Sequence, residues 1–387
     1  MNPRLQRALS ITVRTMSISQ ALYQVYDVLR LMPNGGPSCC NIAVTNVCNA
    51  TCDFCNYAKD KTFVTEHKWL DYDRACRALD ILHGRGIRYL TFSGGEPLLH
   101  PRLADLVHEA SRRGMRAAVV TNGSPLTERN IEELAAKGLR TLFISIDAAE
   151  AEKHEANRGL PKVCQKIAQA NILLKARGIK TIASVTINRL IDDFEALFAF
   201  VKQLGFETVT FTYPKRTLGS SSLVFSETSA LIDFSDAELA GKLQQLKELK
   251  SRFGILNPAA SLAEMIRFVR KEKQLFPCYG GFKYFAMDVN FDVYRCDFWS
   301  TKMCTVEEFA TAPFVRDGCT KCMSVCYRDS SVFFNFPVAI GDAMRLARRG
   351  RVVAAARTLI SPSARLSLRS LLGEWRTLKK LARTEAR

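Results

Sequence analysis

The feature that most constrains this chain is a regular alternation of strand-like and helix-like segments between residues 38 and 255. Short runs rich in β-branched residues predict six strands, at 41–47, 88–92, 117–121, 141–146, 181–187 and 208–213. Helical patterns follow them at 71–85, 102–114, 127–137, 162–177, 192–204 and 235–253. This alternation predicts a parallel sheet built from βαβ units. Six units are too few for an eight-stranded barrel, so we expect an α/β fold: a partial (β/α)6 barrel with its chemistry at the C-terminal ends of the strands.

The texture of the sequence divides the 387 residues into four parts. An amphipathic N-terminal segment at 1–37 ends in a Pro- and Gly-rich breaker and precedes the barrel at 38–255. A cysteine-rich module follows at 256–337, and a basic amphipathic helical tail occupies 338–387. A composition of 47% hydrophobic and 24% charged residues excludes a disordered or fibrous chain.

Three of the 13 cysteines stand in one short segment directly after the first predicted strand. Cys48, Cys52 and Cys55 have the spacing C-x3-C-x2-C, so one loop can direct three thiolates to a common centre. Zinc sites usually take four protein ligands from paired motifs. Three thiolates suit a [4Fe–4S] cluster with one iron open to a small chelating molecule. A zinc knuckle or three buried cysteines is the alternative.

This segment resembles the defining motif of the radical S-adenosylmethionine (SAM) superfamily, C-x3-C-x-aromatic-C, with Phe54 as the aromatic residue. The resemblance covers roughly residues 38–255. It implies a partial barrel, a [4Fe–4S] cluster held by Cys48, Cys52 and Cys55, and SAM bound to the open iron. It also implies reductive cleavage of SAM to a 5′-deoxyadenosyl radical, with electrons from a donor such as flavodoxin or ferredoxin.

The resemblance extends to residues at the ends of the later strands. It implies cofactor-binding roles for Phe54, Gly94, Gly95, Glu96, Asn122, Ser145, Asp147 and Arg158. In the superfamily the Gly-Gly-Glu motif binds the SAM amino group, since glycines permit close approach and a carboxylate can hold an ammonium. Arg158 resembles a basic residue that meets the SAM carboxylate; a solvated arginine at the start of a helix is the alternative.

A second group of cysteines lies between residues 278 and 326: Cys278, Cys296, Cys304, Cys319, Cys322 and Cys326. Two of them flank a hairpin-like run at 284–294, and three form a C-x2-C-x3-C group. This arrangement resembles the auxiliary-cluster modules called SPASM or twitch domains, and it implies one auxiliary [4Fe–4S] cluster. Cys278, Cys296, Cys319 and Cys322 are the favoured ligands, Cys326 is a further candidate, and Cys304 is the least well placed. A structural zinc site is the alternative.

The net charge of +17 indicates an anionic partner. Residues 341–387 hold 12 of the 55 Lys and Arg residues but only three acidic ones. A basic amphipathic tail of this kind predicts binding to an anionic membrane surface, or helices packed on the barrel with a solvated basic face. Nucleic acid is not expected, because the tail has few aromatic stacking residues. Without a signal peptide or spanning segment in the sequence, we expect a cytoplasmic protein, with the tail allowing peripheral binding to the inner face of the membrane.

Three functions fit these features. The basic amphipathic ends, and a faint likeness of the late cysteine region to radical SAM enzymes of lipid biosynthesis, favour modification of a C–H or C=C position in a lipid or isoprenoid. A peptide-modifying maturase is the alternative within the same superfamily. A metal-stabilised, membrane-associated binding protein is the non-enzymatic alternative.

Overall fold

A computed structural model describes residues 26–215 and 228–374 of the chain. Most of the predicted N-terminal amphipathic segment (1–25) and the end of the predicted tail (375–387) lie outside the described residues, as does the segment 216–227 after the sixth strand.

Six parallel strands form the central part of the sheet, in the order in which they occur along the chain. They are β1 (Ser38–Thr45), β2 (Ile87–Gly94), β3 (Arg116–Thr121), β4 (Thr141–Ser145), β5 (Lys180–Thr186) and β6 (Val209–Thr212). The predicted α/β fold with six alternating units is therefore confirmed. The first strand begins three residues before its predicted start and ends at Thr45, because the chain then turns toward β2: Glu96 N–H donates to the Val47 carbonyl at 2.8 Å.

Helices follow the strands and cover the outer face of the sheet. They are α1 (Tyr72–Gly84), α2 (Leu103–Arg112), α3 (Glu128–Ala136), α4 (Ala151–Arg158), α5 (Val163–Ala176), α6 (Phe194–Gln203), α7 (Asp236–Leu249) and α8 (Ala259–Val269). Short 3-10 turns occur at Met32–Asn34, Pro97–Leu99, Ala230–Ile232 and Glu308–Ala310. The predicted helical patterns correspond to α1–α3 and α5–α7. The sequence did not predict α4, whose short and mostly polar segment lacks an apolar period.

Alternate residues of each barrel strand pack against these helices. Phe211 of β6, for example, makes edge-to-face contacts with Phe194 and Phe198 of α6, with ring centroids 5.5 and 6.0 Å apart. Because successive strand residues point to opposite faces, Thr210 and Thr212 face the interior of the barrel. In β6, the buried residues Val209 and Phe211 therefore face the helices, and the half-buried threonines line the interior.

The cysteine-rich region continues the same sheet. Strand β7 (Tyr284–Met287) pairs in parallel with β1, and β8 (Asp292–Tyr294) and β9 (Cys304–Thr305) follow it in antiparallel order. The predicted hairpin is present, and Phe291 in its turn has φ of +68°. The region from 278 onward is therefore joined to the barrel through backbone hydrogen bonds.

Three C-terminal helices end the described chain: α9 (Val325–Arg348), α10 (Val352–Leu359) and α11 (Pro362–Gly373). The predicted division at residue 337/338 falls inside α9. Pro337 cannot donate a hydrogen bond to the Phe333 carbonyl. The Ser367 hydroxyl of α11 reaches the carbonyl oxygens of Val332 (2.5 Å) and Phe333 (3.5 Å). The helix continues through the proline, with this hydroxyl beside the carbonyl that lost its backbone donor.

Candidate functional site

The loop of residues 48–55 leaves the C-terminal end of β1 and is fixed by hydrogen bonds to distant parts of the barrel. Thr51 N–H donates to the Arg158 carbonyl at 2.9 Å, and Lys59 N–H donates to Ala50 O at 2.9 Å. Cys52 is buried, whereas Cys48 and Cys55 are partly exposed. Burial raises the pKa of the Cys52 thiol to about 12 and that of Cys55 to about 11. The three thiols face one another closely enough to influence each other's charge.

Gly94 and Gly95 pack directly beneath this loop. A Cβ atom on Gly94 would lie 2.1 Å from the Thr45 carbonyl oxygen, and one on Gly95 would lie 2.1 Å from Val47 O. Gly94 also has φ of +121°, which side chains rarely tolerate. The sequence predicted that these glycines let the backbone approach a ligand. The structure shows that the backbone they approach is that of the chain entering the cysteine loop.

The Glu96 carboxylate ties the ends of β2 and β3 together. One oxygen accepts hydrogen bonds from Leu98 N–H (3.0 Å) and the Thr121 hydroxyl (2.7 Å), and the other accepts from Asn122 N–H (2.7 Å). Burial raises the pKa of the Glu96 carboxyl to about 7, against the lowering effect of these donors. A carboxylate offers about four acceptor positions, so one position remains for a further donor.

The Asn122 side chain extends this connection to the cysteine loop. Its amide nitrogen donates to Asn49 Oδ1 at 2.8 Å, and its oxygen accepts from the Ser124 hydroxyl at 2.7 Å. Asn49 in turn donates to Ser124 at 2.8 Å. The amide therefore orients the loop between Cys48 and Cys52 relative to β3.

Asp147 and Arg158 form a buried ion pair on the other side of the loop. Arg158 donates to Asp147 Oδ1 at 2.7 Å, and Asn157 donates to Oδ2 at 2.9 Å. Burial by itself would raise the pKa of the Asp147 carboxyl, but the charge of Arg158 holds it below its ordinary value. Burying this ion pair costs the free energy of desolvating both charges. That cost is offset only when further hydrogen bonds satisfy the two groups.

One donor of Arg158 is left over. Its Nε atom is buried and has no hydrogen-bond partner among the described residues, although the guanidinium lies close enough to Cys48 and Cys52 to feel their charge. Buried donors without partners are rare and costly. This cationic donor lies beside the thiols and close enough to Glu96 to act on its charge. Together with the spare acceptor position of Glu96, it fits a bound zwitterion with one carboxylate and one ammonium group.

His154 of α4 belongs to this side of the site, and the sequence did not single it out. It is fully buried, its Nδ1 accepts from Asp147 N–H at 3.1 Å, and its Nε2 has no partner among the described residues. Burial lowers its pKa to about 4, so the ring is neutral. No apolar period marks α4, and for that reason the sequence carried no signal for this residue.

Two predicted site residues lie at the margin. Phe54 is buried against Ile232 and Leu231, in the chain that follows the sixth strand. Ser145 ends β4 and is half-buried on the interior face. It stands in register with Ser184 of β5, which pairs with Thr210 of β6. This row of hydroxyl groups across three strands was not predicted, because register between strands is not visible in a single sequence.

Four of the later cysteines lie together. Cys278 and Cys296 share an apolar cluster with Tyr284 and Tyr327, and Cys319 packs against it. Cys278 N–H donates to Cys319 O at 2.8 Å, and Cys322 lies close enough to Cys278 to raise its own pKa through charge. These are the four favoured auxiliary ligands.

The remaining two cysteines of this region lie elsewhere. Cys304, in β9, is buried in the main apolar core. Cys326 is exposed, at the start of α9. Its neighbours are Tyr284, Cys39 and Asp297 rather than the four thiols that lie together.

Within residues 26–215 and 228–374, no three His, Cys, Asp or Glu side chains have the close geometry that a single metal ion requires. In a [4Fe–4S] cluster each thiolate binds a different iron. The first loop supplies three thiolates and the later group four, and both donor sets have the chemistry for such clusters.

Residues 42–216 match the family model of the Radical SAM superfamily. The matched segment is less than half of the chain, and it runs from within β1 to the end of β6 and includes the Cys48–Cys55 loop. The match agrees with the predicted enzyme class and with the predicted cofactor, a [4Fe–4S] cluster with SAM. The SPASM-like assignment of the later region stays a prediction.

Among particular proteins, the chain is similar to an AdoMet-dependent heme synthase of Methanosarcina barkeri, with 31% identity over 163 residues, or 42% of this chain and 46% of the relative. A GTP 3′,8-cyclase of Chlorobaculum tepidum is 34% identical over 113 residues, or 29% of this chain and 33% of that one. The chain thus matches less than half the length of these curated relatives.

A solved structure with a similar fold is that of Streptococcus suis SuiB bound to S-adenosylmethionine. It has a TM-score of 0.54 and 15% identity, and the alignment covers 86% of this chain and 82% of SuiB. At this identity the likeness concerns the fold alone, and it extends beyond the barrel into the cysteine-rich region.

Proposed function

We propose that this chain cleaves SAM reductively at a [4Fe–4S] cluster held by Cys48, Cys52 and Cys55, and modifies a substrate bound inside the barrel. The observation that carries the proposal is the orphaned Nε of Arg158, which is buried beside the three thiols. When bound, the cluster and SAM supply a 5′-deoxyadenosyl radical through scission of the C5′–S bond.

The residues of this chain position SAM from two sides. Arg158 Nε–H donates to the SAM carboxylate, while Asp147 holds the guanidinium in place. Glu96 keeps one acceptor position for the ammonium and is itself held by donors from β3. Asn122 and the two glycines fix the cysteine loop, so that SAM and cluster are bound by elements already hydrogen-bonded to one another.

The barrel interior favours a substrate with hydrogen-bonding groups. Ser145, Ser184 and Thr210 form a row across the strands opposite β1 and β2, and Asn41 accepts from Ser93 at 2.7 Å on the near side. Such groups lose hydrogen bonds to water if hydrocarbon covers them. Nothing in the comparisons supports the lipid or isoprenoid substrate expected from the sequence. The interior favours the peptide alternative, whose amides can pair with these hydroxyls.

Cysteine substitution tests the proposal directly. We expect reconstituted wild-type protein with dithionite to convert SAM to 5′-deoxyadenosine and methionine, and Cys52→Ala to lose this activity by at least about 10³-fold, or roughly 4 kcal/mol in the barrier. Product quantification by liquid chromatography and mass spectrometry is the measurement.

Cys76→Ala is the matched control, because Cys76 is a partly exposed thiol of α1 outside both cysteine groups. It should keep wild-type activity. SAM cleavage by Cys52→Ala at the wild-type rate would contradict the assignment of this loop and favour a structural metal or no metal there.

The proposal includes one auxiliary [4Fe–4S] cluster in the later region, held by Cys278, Cys296, Cys319 and Cys322. A flavodoxin or ferredoxin supplies the electrons. The grouping of these four thiols supports this part. Reconstituted protein should then hold about eight irons per chain, the content of two such clusters.

The basic tail presents an apolar patch that supports the proposed membrane surface. Val352, Val353 and Ile360 of the α10 region are exposed, and Arg351 and Arg357 are exposed beside them. Exposed apolar side chains ringed by arginines are typical of a surface that binds anionic lipid. None of the described helices has the length and apolar character needed to cross a membrane.

We expect the protein to pellet with vesicles of phosphatidylcholine and phosphatidylserine. The triple variant Val352→Ser/Val353→Ser/Ile360→Ser should lose most of this binding, because insertion of apolar side chains gains about 0.8 kcal/mol per buried CH₂. Co-sedimentation at low salt is the measurement. Ile172→Ser removes an equally exposed isoleucine from α5 and should not change the pelleted fraction. Equal binding by the triple variant would exclude this patch as the membrane contact.

A further inference from the structure

Cys326 differs from the other cysteines of its region in both exposure and surroundings. Cys278 and Cys296 are buried in the shared apolar cluster, whereas Cys326 is exposed. It lies at the second position of α9. Because this helix packs against the barrel, its placement decides which space the Cys326 thiol faces.

The first turns of α9 bridge the open side of the partial barrel. On one side, Asp329 accepts from Asn257 at 2.8 Å, and Asn257 hydrogen-bonds both backbone groups of Phe211 in β6, at 2.7 and 2.9 Å. On the other side, the ring of Tyr327 packs on Tyr284 of β7, with centroids 4.5 Å apart. The helix therefore spans the gap between β6 and β7.

Cys326 faces the barrel interior. Its thiol lies beside the Tyr284 hydroxyl, and that hydroxyl lies beside Thr91 of β2. Thr91 is half-buried on the inner face of its strand, between the core residues Leu90 and Phe92. The exposure of Cys326 is thus to the space that the strands enclose.

A second observation points to a ligand at this place. Tyr327 is only 1% exposed, and its buried hydroxyl has no hydrogen-bond partner among the described residues. Its neighbours are Asp297, Cys296, Tyr284 and Cys326. A buried hydroxyl left without a partner is costly, and a polar group of a bound substrate would satisfy it.

The groups around this thiol come from both sides of the gap. Tyr284 begins β7 on one side, and Lys215 follows the end of β6 on the other. A substrate in the barrel interior would therefore have Cys326 among the groups that line its site.

We propose that Cys326 is a hydrogen-atom donor to a substrate radical and not a ligand of the auxiliary cluster; this rests on the proposed function. The S–H bond breaks homolytically as a C–H bond forms on the substrate carbon, which leaves a Cys326 thiyl radical. One electron from the same flavodoxin- or ferredoxin-type donor and one proton from water restore the thiol. The transfer runs downhill because an S–H bond is weaker than an aliphatic C–H bond.

Alkylation of the reconstituted protein tests the placement without requiring turnover. Under anaerobic conditions N-ethylmaleimide should label the peptides of Cys326 and of the partly exposed Cys39 and Cys76, whereas the seven proposed ligands stay protected. Cys326→Ser should retain the wild-type iron content. Protection of Cys326 together with loss of iron in Cys326→Ser would overturn the proposal and make Cys326 a ligand.

Deuterium transfer tests the chemistry with SAM alone. In D₂O the exchangeable thiol carries deuterium, so 5′-deoxyadenosine formed without substrate should contain one deuterium in the wild-type reaction. Cys326→Ala should lose this label while Cys76→Ala keeps it. Unlabelled product from the wild-type protein, or label retained in Cys326→Ala, would contradict a donor role. If the wild-type protein forms no 5′-deoxyadenosine, the proposed function fails, and the alkylation result still reports whether Cys326 is a ligand.

Discussion

Gly94→Ala is expected to separate the end of β2 from the chain that enters the cysteine loop. Its Cβ would lie 2.1 Å from the Thr45 carbonyl, and its φ of +121° would be strained with any side chain. Gly95 N–H donates to the same carbonyl at 2.9 Å, so relief of the clash breaks this hydrogen bond. Overlap with backbone atoms cannot be relieved by a rotamer change. We therefore expect a loss of about 4–5 kcal/mol or more in the free energy of unfolding, the upper end for single substitutions.

Urea denaturation followed by circular dichroism, together with iron content after reconstitution, would measure the effect. Gly241→Ala in α7 is the control. Apart from its own helical turn, no atom of the described residues lies within 4 Å of its Cβ position, and alanine favours a helix interior by up to about 1 kcal/mol. The variant at Gly94 should lose the iron of the first site. An unchanged urea midpoint for Gly94→Ala would show that the β2 end and the loop can move apart freely.

Glu264→Ala is expected to disorder the chain that leads to the auxiliary cysteines. Glu264 lies in α8 and is buried, accepts from Leu275 N–H at 2.9 Å and Phe276 N–H at 3.2 Å, and pairs with buried Arg328 at 3.3 Å. Removing it leaves two backbone donors and a guanidinium without compensation. Breaking a buried ion pair in this way costs about 3–5 kcal/mol. Because the segment continues directly into Cys278, the loss falls on the auxiliary site.

Hydrogen exchange of the amides at 274–280 would measure this local effect, with urea denaturation for the whole chain. Arg267→Ala is the matched control: its side chain is 38% exposed and lies 3.9 Å from Glu264, so it should change stability by less than about 1 kcal/mol. Slow exchange at 274–280 in Glu264→Ala, equal to that of the wild-type protein, would rule out this anchoring role.

Much of the site could be predicted because its signals are local. The spacing of Cys48, Cys52 and Cys55 and the Gly-Gly-Glu motif need only neighbouring residues to be recognised. The interior residues could not be predicted in this way. Ser184 and Thr210 are unremarkable in sequence and gain meaning only from their register with Ser145.

Cys326 shows the same limit within a motif. Its C-x2-C-x3-C spacing made it a fifth candidate ligand, whereas its place in α9, which begins at Val325, puts the thiol beside Tyr284. The pairing of Tyr327 with Tyr284, which sets that orientation, joins residues 43 positions apart. Spacing alone carries no information about such a contact.

The sequence by itself determined the order of strands and helices and the position of the cysteine loop after β1, because periodicity and short motifs arise from backbone geometry within a few residues. Only the tertiary structure decided which side chains share the barrel interior and why Gly94 and Gly95 must lack side chains. It also decided that Arg158, beside the thiols, keeps one donor without a partner among the described residues. Those outcomes depend on contacts between segments far apart in the chain, whose register and approach are set by packing of the whole fold.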